Sequence, residues 1–298
     1  MSKFYMMIGL PASGKSTEAK KIAKENNAII HASDLLREEL FGTADIQEDN
    51  ELVFTELHKR IKTDLRSGKN VIYDATNISY KRRKAFLQEI QKIDCPKIAV
   101  FIATPYEDCL KNNQQRERKV PEYVIAKMYK NFYIPQMYEG WDKINIIWKY
   151  SVTDFPYDEL KQKLDIPQDN PHHTLTVYQH CVKCKDLIKI DDHLLKIAAL
   201  YHDIGKPFTK QFKNAKGEST EYAHYYQHHL VSAYNAIFYL KKEMPNDNNI
   251  LKVVNYITWH MQPFFIQSEK AKDKFIKLLG QEFYDNLMIL HEADKLSK

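Results

Sequence analysis

The stretch Gly9-Leu-Pro-Ala-Ser-Gly-Lys-Ser-Thr17 decides the fold of the first half of the chain. It has the spacing G-x-x-x-x-G-K-[S/T] and lies between a predicted strand over residues 3–9 and a predicted helix over 16–26. In such a loop, glycines turn backbone N–H groups toward phosphate oxygens, the lysine reaches the outer phosphates, and the next hydroxyl binds Mg²⁺. The stretch therefore predicts a site for ATP and Mg²⁺. Its members are Gly9, Ser13, Gly14, Lys15, Ser16 and Thr17.

Strands and helices alternate around this loop. Short segments rich in Ile, Val and aromatic residues are separated by longer stretches with helical periodicity. This alternation predicts a parallel sheet that helices cover on both faces. The further predicted strands are 27–31, 70–74, 97–103 and 144–148, and the clearest further helices are 50–67 and 80–92.

The pattern changes near residue 151. Pro156, Pro167 and Pro171 lie in a polar stretch, and helical periodicity follows to the end of the chain. Histidine is also unevenly distributed, since ten of the twelve histidines come after residue 170. We therefore predict two domains, an α/β P-loop domain with a parallel sheet over residues 1–152 and an all-α domain over 153–298.

The composition excludes several classes of protein. Hydrophobic residues make up 44% and charged residues 28% of the chain, as in soluble globular proteins, and no apolar run approaches the roughly 20 residues of a membrane span. The apolar start leads into the glycine loop without signal-peptide features, which favours a cytoplasmic protein with reduced cysteines. Cys181 and Cys184 have the spacing of a metal or redox pair, but helix packing is the simpler explanation because no second pair accompanies them.

Four charged residues bear on which group receives the phosphate. Asp34 and Arg37 follow the second predicted strand, and a spacing of three places both side chains on one helix face. Asp34 could accept the proton of a hydroxyl while Arg37 binds a neighbouring phosphate, although an exposed ion pair explains the same spacing. Asp74 ends a buried strand and could organise Mg²⁺ through water. Arg116 follows the fourth strand, where a lid arginine would stabilise charge on the transferring phosphate.

Together these motifs resemble the kinase domain of phage T4-type 5′-hydroxyl polynucleotide kinases over about residues 1–150. The resemblance rests on the glycine loop, on Asp34-x-x-Arg37, on Asp74-Ala-Thr-Asn77, and on Arg116 followed by Val120-Pro121. It implies ATP, Mg²⁺ and the 5′-OH of RNA or DNA as acceptor, with Asp34 as general base and Arg37 on the acceptor's 3′ phosphate. The family usually carries another lid arginine about four residues earlier, where this chain has Asn112.

The second half contains a dispersed set of candidate metal ligands. One adjacent imidazole and carboxylate pair ends an apolar helical stretch just before Gly205, an arrangement that suits a metal site at a buried helix end. Further imidazoles and a carboxylate come from other predicted helices, although each of them could also be an ordinary structural residue. The candidate ligands are His173, His202, Asp203, His228, His260 and Asp294.

This series resembles the HD phosphohydrolase superfamily over roughly residues 171–298. The resemblance implies that His228 and His260 are the extra ligands of members with two metals, and that the other four candidates are core ligands. Mixed imidazole and carboxylate ligation suits Mn²⁺, Fe, Co²⁺, Ni²⁺ or Zn²⁺. Such a metal would activate water for phosphoester hydrolysis, and Lys206 could steady the phosphate. His180, two helical turns after His173, could support the site or contact substrate.

The two resemblances imply a nucleic-acid end-healing enzyme. Its kinase domain would phosphorylate 5′-OH ends, and its HD domain would remove a 3′-phosphate, 2′-phosphate or 2′,3′-cyclic phosphate. RNA is the favoured substrate, DNA ends are a further one, and a nucleic-acid ligase is the expected functional partner. Two alternatives stay open: a nucleoside or nucleotide kinase fused to a nucleotide phosphohydrolase, and an ATP-switched regulatory protein whose histidine cluster is structural.

Overall fold

The computed structural model describes residues 2–45, 49–151, 154–171 and 173–298. The chain forms two compact units: the first comprises the chain up to Met128 together with Pro135–Tyr150, and the second comprises Tyr129–Ile134 together with Ser151–Lys298. The predicted boundary between residues 152 and 153 lies outside the described residues and stays a prediction.

The first unit contains a five-stranded parallel sheet, which confirms the predicted α/β class. Numbered along the chain, its strands lie in the order 2-3-1-4-5, so the strand that leads into the glycine loop is the central one. All five residues of this strand are buried, as expected for a strand with helices on both faces. The strands are β1 (Phe4–Ile8), β2 (Ala28–Ala32), β3 (Asn70–Asp74), β4 (Lys97–Ala103) and β5 (Lys143–Trp148).

Helices connect the strands of this sheet. The third helix shows how the sequence determines its packing, since it buries Val53, Leu57, Ile61 and Leu65, which are spaced four apart and so lie on one face. A short 3-10 helix, Met137–Glu139, precedes the last strand. The α-helices are α1 (Lys15–Asn26), α2 (Ser33–Phe41), α3 (Asn50–Arg66), α4 (Tyr80–Glu89), α5 (Tyr106–Gln114) and α6 (Glu122–Lys130).

The second unit is built mainly from helices, as predicted. Two of them, His228–Glu243 and Asp247–Trp259, are buried along most of their length and form its centre. A 3-10 helix, Gln262–Phe265, follows the second of these. The helices are α7 (Tyr157–Leu164), α8 (Val177–Leu187), α9 (His193–Tyr201), α10 (Lys206–Thr209), α11 (His228–Glu243), α12 (Asp247–Trp259), α13 (Glu269–Leu279) and α14 (Gln281–Leu296).

One element departs from the all-α prediction. Two short antiparallel strands, β6 (Gln211–Lys213) and β7 (Ser219–His224), form a hairpin between α10 and α11. Gly217 adopts a φ of +86° in the connecting turn, which favours glycine. The Asn214 side chain also accepts a hydrogen bond from the Glu218 backbone N–H. Most residues of these strands are not buried, so they lack the alternating apolar pattern that reveals a strand in sequence.

Within the described ranges, no helix is both long and apolar enough to span a membrane.

Candidate functional site

The glycine loop lies at the carboxyl end of the central strand, between β1 and α1. Gly14 adopts a φ of +92°, in the left-handed region that side chains disfavour. Gly9 has no space for a side chain, since a Cβ there would lie 2.7 Å from Ser13 Oγ and 3.3 Å from the Ile102 carbonyl oxygen. The path of the loop therefore requires glycine at both positions.

The groups inside the loop fit a phosphate. Lys15 is buried, and its Nζ donates a 2.6 Å hydrogen bond to the Leu10 carbonyl oxygen. Burial lowers the pKa of Lys15 to about 8, although the nearby Asp74 carboxylate opposes this shift. The Ser13 hydroxyl is buried without a hydrogen-bond partner in the described part of the chain. Phosphate oxygens would satisfy both groups, so the residues fit a nucleotide.

Asp74 and Ser16 meet at the same edge of the sheet. Because β3 pairs in parallel with β1, Asp74 is aligned with Met7, and its carboxylate accepts a hydrogen bond from the Ser16 side chain. Burial raises the pKa of Asp74, while that hydrogen bond and the charge of Lys15 oppose the shift. A hydroxyl and a carboxylate are oxygen ligands that suit Mg²⁺. Thr17 is exposed in the first turn of α1.

Asp34 and Arg37 lie together on α2 beside the loop's edge of the sheet. Arg37 Nη1 donates to Asp34 Oδ1 at 3.1 Å, and Arg37 Nη2 donates to Asn50 Oδ1 at 2.5 Å. The arginine side chain is buried, whereas 55% of the Asp34 side-chain surface is exposed. The pair therefore combines a fixed guanidinium with an accessible carboxylate. The roles assigned to them remain predictions.

A second arginine, from the polar segment that follows α5, also contacts the Asp34 carboxylate. Arg118 Nη1 donates to Asp34 Oδ2 at 3.0 Å, while its Nε donates to Asp45 Oδ1 at 2.7 Å and its Nη2 to the Ala44 carbonyl oxygen at 2.7 Å. The segment after α5 thus reaches the acceptor side of the loop. Because 84 positions separate Arg118 from Asp34, no local spacing reveals this contact.

The predicted lid arginine also lies near the loop. The positive charge of Arg116 contributes to the lowered pKa of Lys15, after the larger effect of burial. Asn112, at the position of the missing family arginine, donates from Nδ2 to the Ala12 carbonyl oxygen of the loop at 3.2 Å. This amide cannot supply the charge that an arginine would bring.

In the second unit, buried imidazoles and carboxylates from five helices converge. They come from α8, from the C-terminal ends of α9 and α12, from the first residue of α11, and from α14. The converging side chains are His180, His202, Asp203, His228, His260 and Asp294. We call these six residues the histidine–aspartate cluster.

Asp203 lies at the centre of the cluster. Its Oδ2 is 3.2 Å from His180 Nε2 and 3.3 Å from His202 Nε2. Its Oδ1 is 3.2 Å from His228 Nε2 and 3.7 Å from His260 Nε2. The two oxygens of one carboxylate therefore face two different pairs of imidazoles.

Asp294 completes one side of this arrangement. Its Oδ1 lies 3.1 Å from His180 Nε2 and 3.7 Å from His202 Nε2. These three residues form one group of ligand atoms that lie within 4.8 Å of one another, and His202, Asp203 and His260 form another. Two adjacent groups of this size could hold one metal or two.

The hydrogen-bond partner of Nδ1 determines the tautomer of each imidazole in the cluster. Nδ1 of His202, His228 and His260 lies 2.7 Å from the carbonyl oxygen three residues earlier, which can only accept, so each Nδ1 carries a hydrogen. His180 Nδ1 lies 2.9 Å from Ser297 Oγ, whose own hydrogen goes to the carbonyl three residues earlier, so His180 Nδ1 donates as well. When the imidazoles are neutral, all four Nε2 lone pairs therefore point into the cluster.

Facing lone pairs require a positive charge between or beside them, which either a proton on one imidazole or a metal cation can supply. His180 Nε2 and His202 Nε2 are 3.2 Å apart, and His228 Nε2 and His260 Nε2 are 3.1 Å apart. Asp203 Oδ1 is also buried without a hydrogen-bond partner in the described part of the chain. Imidazole nitrogen and carboxylate oxygen are the ligands that divalent transition metals bind. The residues present therefore fit such a metal.

The cluster strongly shifts the pKa values of its members. Burial opposes ionisation of His202, but the adjacent Asp203 carboxylate raises the pKa of this imidazole well above its usual range. Burial likewise opposes ionisation of Asp203, but His202 and Lys206 hold the pKa of its carboxyl well below the usual range. Hydrogen bonds from neighbouring imidazoles do the same for Asp294. Burial lowers the pKa of His260. Both carboxylates are therefore ionised and available to a cation.

His173 and His180 do not lie on one helix face, although their spacing of two helical turns suggests it. Thr176 Oγ1 accepts from the Gln179 backbone N–H in a capping box, which starts α8 at Val177 and carries His180 into the cluster. His173 precedes the helix, and its ring centroid lies 5.1 Å from that of His180. The structure thus adds His180 to the converging side chains, while a ligand role for His173 remains a prediction. Burial lowers the pKa of His173 to about 3.

Lys206 lies directly beside the cluster. Its Nζ is 2.6 Å from Asp203 Oδ2 and 2.6 Å from Gln168 Oε1, and its side chain is buried. The preceding Gly205 packs against α11 so closely that a Cβ would lie 2.6 Å from the Ser232 backbone nitrogen. This close approach positions the lysine at a cavity of about 630 Å³ that opens onto the cluster.

Two known families match separate parts of the chain. Residues 4–135 match the AAA domain family, and residues 172–298 match the HD domain family. The chain therefore joins an N-terminal kinase-like P-loop domain to a C-terminal HD domain, in the order that the sequence resemblance predicted. A kinase-like P-loop domain implies ATP and Mg²⁺, and an HD domain implies a divalent metal.

The individual relatives share only low sequence identity with this chain. The chain is 27% identical over 241 residues to the L-seryl-tRNA(Sec) kinase of Methanococcus maripaludis, across 73% of this chain and 92% of that protein. A chain of the Pnkp1/Rnl/Hen1 RNA repair complex is 23% identical with a TM-score of 0.40, across 43% of this chain and 42% of that one. A putative kinase from Chloroflexus aurantiacus is 15% identical with a TM-score of 0.43, across 54% of this chain and 92% of that one.

Proposed function

We propose that this protein heals the ends of broken nucleic acids, with RNA as its favoured substrate. The N-terminal domain transfers the γ-phosphate of ATP to a 5′-OH end. The C-terminal domain removes a 3′-phosphate, a 2′-phosphate or a 2′,3′-cyclic phosphate. The resulting 5′-phosphate and 3′-OH are the ends that a nucleic-acid ligase joins, so a ligase is the functional partner.

One observation carries this proposal: a single chain contains a phosphate-binding loop and a buried histidine–aspartate cluster. The first suits the addition of a phosphate, and the second suits the removal of one. A strand break that leaves a 5′-OH and a blocked 3′ end requires both reactions.

In the kinase step, Asp34 accepts the proton of the attacking hydroxyl. The two arginines that hydrogen-bond its carboxylate, Arg37 and Arg118, hold it in place, and Arg37 has a fixed guanidinium that can bind the phosphate next to the acceptor sugar. Lys15 and Arg116 balance the charge that develops on the transferred phosphate. Ser16 and Asp74 would hold Mg²⁺.

In the hydrolase step, the residues that would hold the metal are His180, His202, Asp203 and Asp294, with His173 as a further proposed ligand, and His228 and His260 would join them where two metals bind. A divalent metal, when bound there, supplies an activated water and a positive charge for a phosphate oxygen. The carbonyl partners of the imidazole Nδ1 atoms keep each ring oriented. Lys206 supplies a further positive charge beside the phosphate.

The Methanococcus relative supports an RNA-borne acceptor. It is named as a kinase of L-seryl-tRNA(Sec), which is a hydroxyl-bearing group attached to an RNA. The present proposal places the acceptor hydroxyl at the 5′ end of a strand instead. Seryl-tRNA is therefore included as an acceptor in the test.

The test uses an end-labelled panel of RNA and DNA oligonucleotides with ATP, Mg²⁺ and either Mn²⁺ or Ni²⁺. We expect 5′ phosphorylation of 5′-OH strands and conversion of blocked 3′ ends to 3′-OH. Asp34→Asn should lower only the first activity, by about 10²- to 10⁴-fold, and Asp203→Asn should lower only the second. Asp45→Asn is the matched control for Asp34→Asn, since Asp45 also contacts Arg118 but is 75% exposed. Failure to phosphorylate any 5′-OH strand would contradict the kinase assignment, and preference for mononucleotides would favour a nucleotide kinase fused to a nucleotide phosphohydrolase.

A further inference from the structure

We propose that the mouth of the cavity above the histidine–aspartate cluster stacks the terminal bases of the nucleic-acid strand whose end is hydrolysed. This inference rests on the proposed function and specifies how the substrate is held. The stacking residues, which we call the aromatic rim, are Tyr222, Tyr226, Phe264 and Phe265.

Exposed aromatic rings are concentrated at this cavity. Of the seven exposed Phe and Tyr side chains in the described residues, four form the rim, and the other three are Tyr123, Phe208 and Phe212. Tyr222 is 52% exposed and Phe265 is 67% exposed. Contiguous exposed apolar surface beside a polar centre marks a binding site. Aromatic rings also stack with any base, because every base has a π-face.

The rim comes from two separate elements. Tyr222 lies on β7, and Tyr226 follows that strand with its ring parallel to the ring of His224, at a centroid distance of 5.5 Å and an interplanar angle of 4°. Phe264 and Phe265 come from the 3-10 helix after α12. Rings from two elements around one cavity offer more stacking surface than a single base covers.

Hydrogen bonds connect the hairpin to the cluster. The Ala223 backbone N–H donates to the Asp169 carbonyl oxygen at 2.9 Å, and the Tyr225 hydroxyl donates to the Gln168 carbonyl oxygen. The side chain of Gln168 accepts from Lys206, which contacts the cluster directly. The hairpin side of the rim is therefore connected through Gln168 to Lys206, as base recognition next to a terminal phosphate requires.

The size and charge of the cavity favour a strand end over a phosphate alone. Its volume of about 630 Å³ falls within the roughly 300–1,000 Å³ of cavities that enclose whole small ligands. Lys206 and Lys298 line it and complement phosphate charge. The rim rings remain partly exposed at the mouth, which suits a strand that continues into solvent. A free nucleotide would be held better by rings that enclose it.

Kinetics on paired substrates test the rim. The substrates are two single-stranded 3′-phosphate RNAs, one with a normal terminal base and one with an abasic terminal sugar. We expect Tyr226→Ala and Phe265→Ala to raise KM for the base-bearing end by about 5- to 150-fold, the range for losing one stacked base. KM for the abasic end should change little. Phe212→Ala is the matched control, since Phe212 lies on the same hairpin and is 47% exposed but does not line the cavity.

Fluorescence gives a readout that does not depend on hydrolysis. A strand with 2-aminopurine as its last base should be quenched on rapid mixing with the wild-type protein. Tyr226→Ala and Phe265→Ala should reduce this quenching, Tyr226→Phe should restore it, and Phe212→Ala should leave it intact. Quenching that is the same in all variants would overturn the proposal, as would equal KM changes on both substrates. Binding of a 3′-phosphate mononucleotide as tight as that of a decamer would overturn the strand assignment.

The two proposals fail in different ways. If no strand end is hydrolysed but quenching depends on the rim, the proposed hydrolase function is wrong and the proposed stacking surface is supported. If ends are hydrolysed and quenching is absent, the proposed stacking surface is wrong and the proposed hydrolase function is supported.

Discussion

Replacing Ser297 with alanine should weaken metal binding without removing a ligand. The Ser297 hydroxyl is fully buried and lies 2.9 Å from His180 Nδ1. It accepts the hydrogen that fixes this imidazole in the tautomer with its Nε2 lone pair toward Asp203 and Asp294. Without the hydroxyl, the nearest acceptor shown for Nδ1 is the carbonyl oxygen of the same residue, at 3.4 Å.

The expected magnitude follows from these distances. A contact of 3.4 Å is longer than the roughly 2.7–3.2 Å of a good N–H···O hydrogen bond, so it replaces the lost one only in part. Loss of a partner that orients a metal-binding histidine typically costs about 10- to 100-fold in metal affinity, or about 1.4–2.7 kcal/mol. The free energy of unfolding without metal should fall by only about 1 kcal/mol.

The assay is competition for Zn²⁺ and Mn²⁺ against a fluorescent chelator, with kinase activity as a check on folding. Ser268→Ala is the matched control, because its hydroxyl accepts from the Ala271 backbone N–H at 3.2 Å at the start of α13, away from the cluster. It should lose similar stability and keep wild-type metal affinity. If Ser297→Ala binds Zn²⁺ within twofold of wild type while His180→Ala does not, the tautomer argument is refuted.

Three further predictions test other parts of the molecule. Asp34→Asn should lower kcat of the kinase by about 10²- to 10⁴-fold and leave phosphohydrolase activity unchanged, as measured with end-labelled strands; equal losses in both activities would indicate misfolding instead. Burial lowers the pKa of Lys15 to about 8, and phosphate binding favours its charged form, so ATP affinity should be constant below pH 8 and fall above it by up to about tenfold per pH unit. Calorimetry at pH 7–9.5 checks this, and Lys15→Arg, which stays charged, should lose the slope; a flat wild-type profile would contradict it. Gly205→Ala should lower the free energy of unfolding by about 1–3 kcal/mol in urea, because its Cβ would lie 2.6 Å from the Ser232 nitrogen; unchanged stability would show that the backbone yields easily.

Much of the first unit could be predicted because its signals are local. The glycine loop combines fixed residue types at fixed spacing with a strand before it and a helix after it. Asp74 could be assigned to the same edge of the sheet because parallel strands end together. The contact between Arg118 and Asp34 could not be predicted, since it depends on how the segment after α5 folds back over 84 positions.

In the second unit too, local sequence signals could be interpreted and contacts between distant residues could not. His202 and Asp203 are adjacent in sequence and end an apolar helix, so they could be identified directly. The approach of His180 to the cluster depends on where α8 begins, and the capping box at Thr176 fixes that start. The ligand role of His173 stays a prediction. The β6–β7 hairpin was missed because its short strands bury few residues and so lack an alternating apolar pattern.

X-ray absorption spectroscopy of the Zn²⁺-loaded protein tests most directly whether the histidine–aspartate cluster is a metal centre. Four imidazole Nε2 atoms and two carboxylates face one another in the cluster. A metal bound among them should therefore have nitrogen and oxygen ligands at about 2.0–2.2 Å, with the scattering pattern of several imidazoles. A first shell with sulfur at about 2.3 Å would place the metal on cysteine thiolates and contradict the account. A shell without imidazole scattering would contradict it as well.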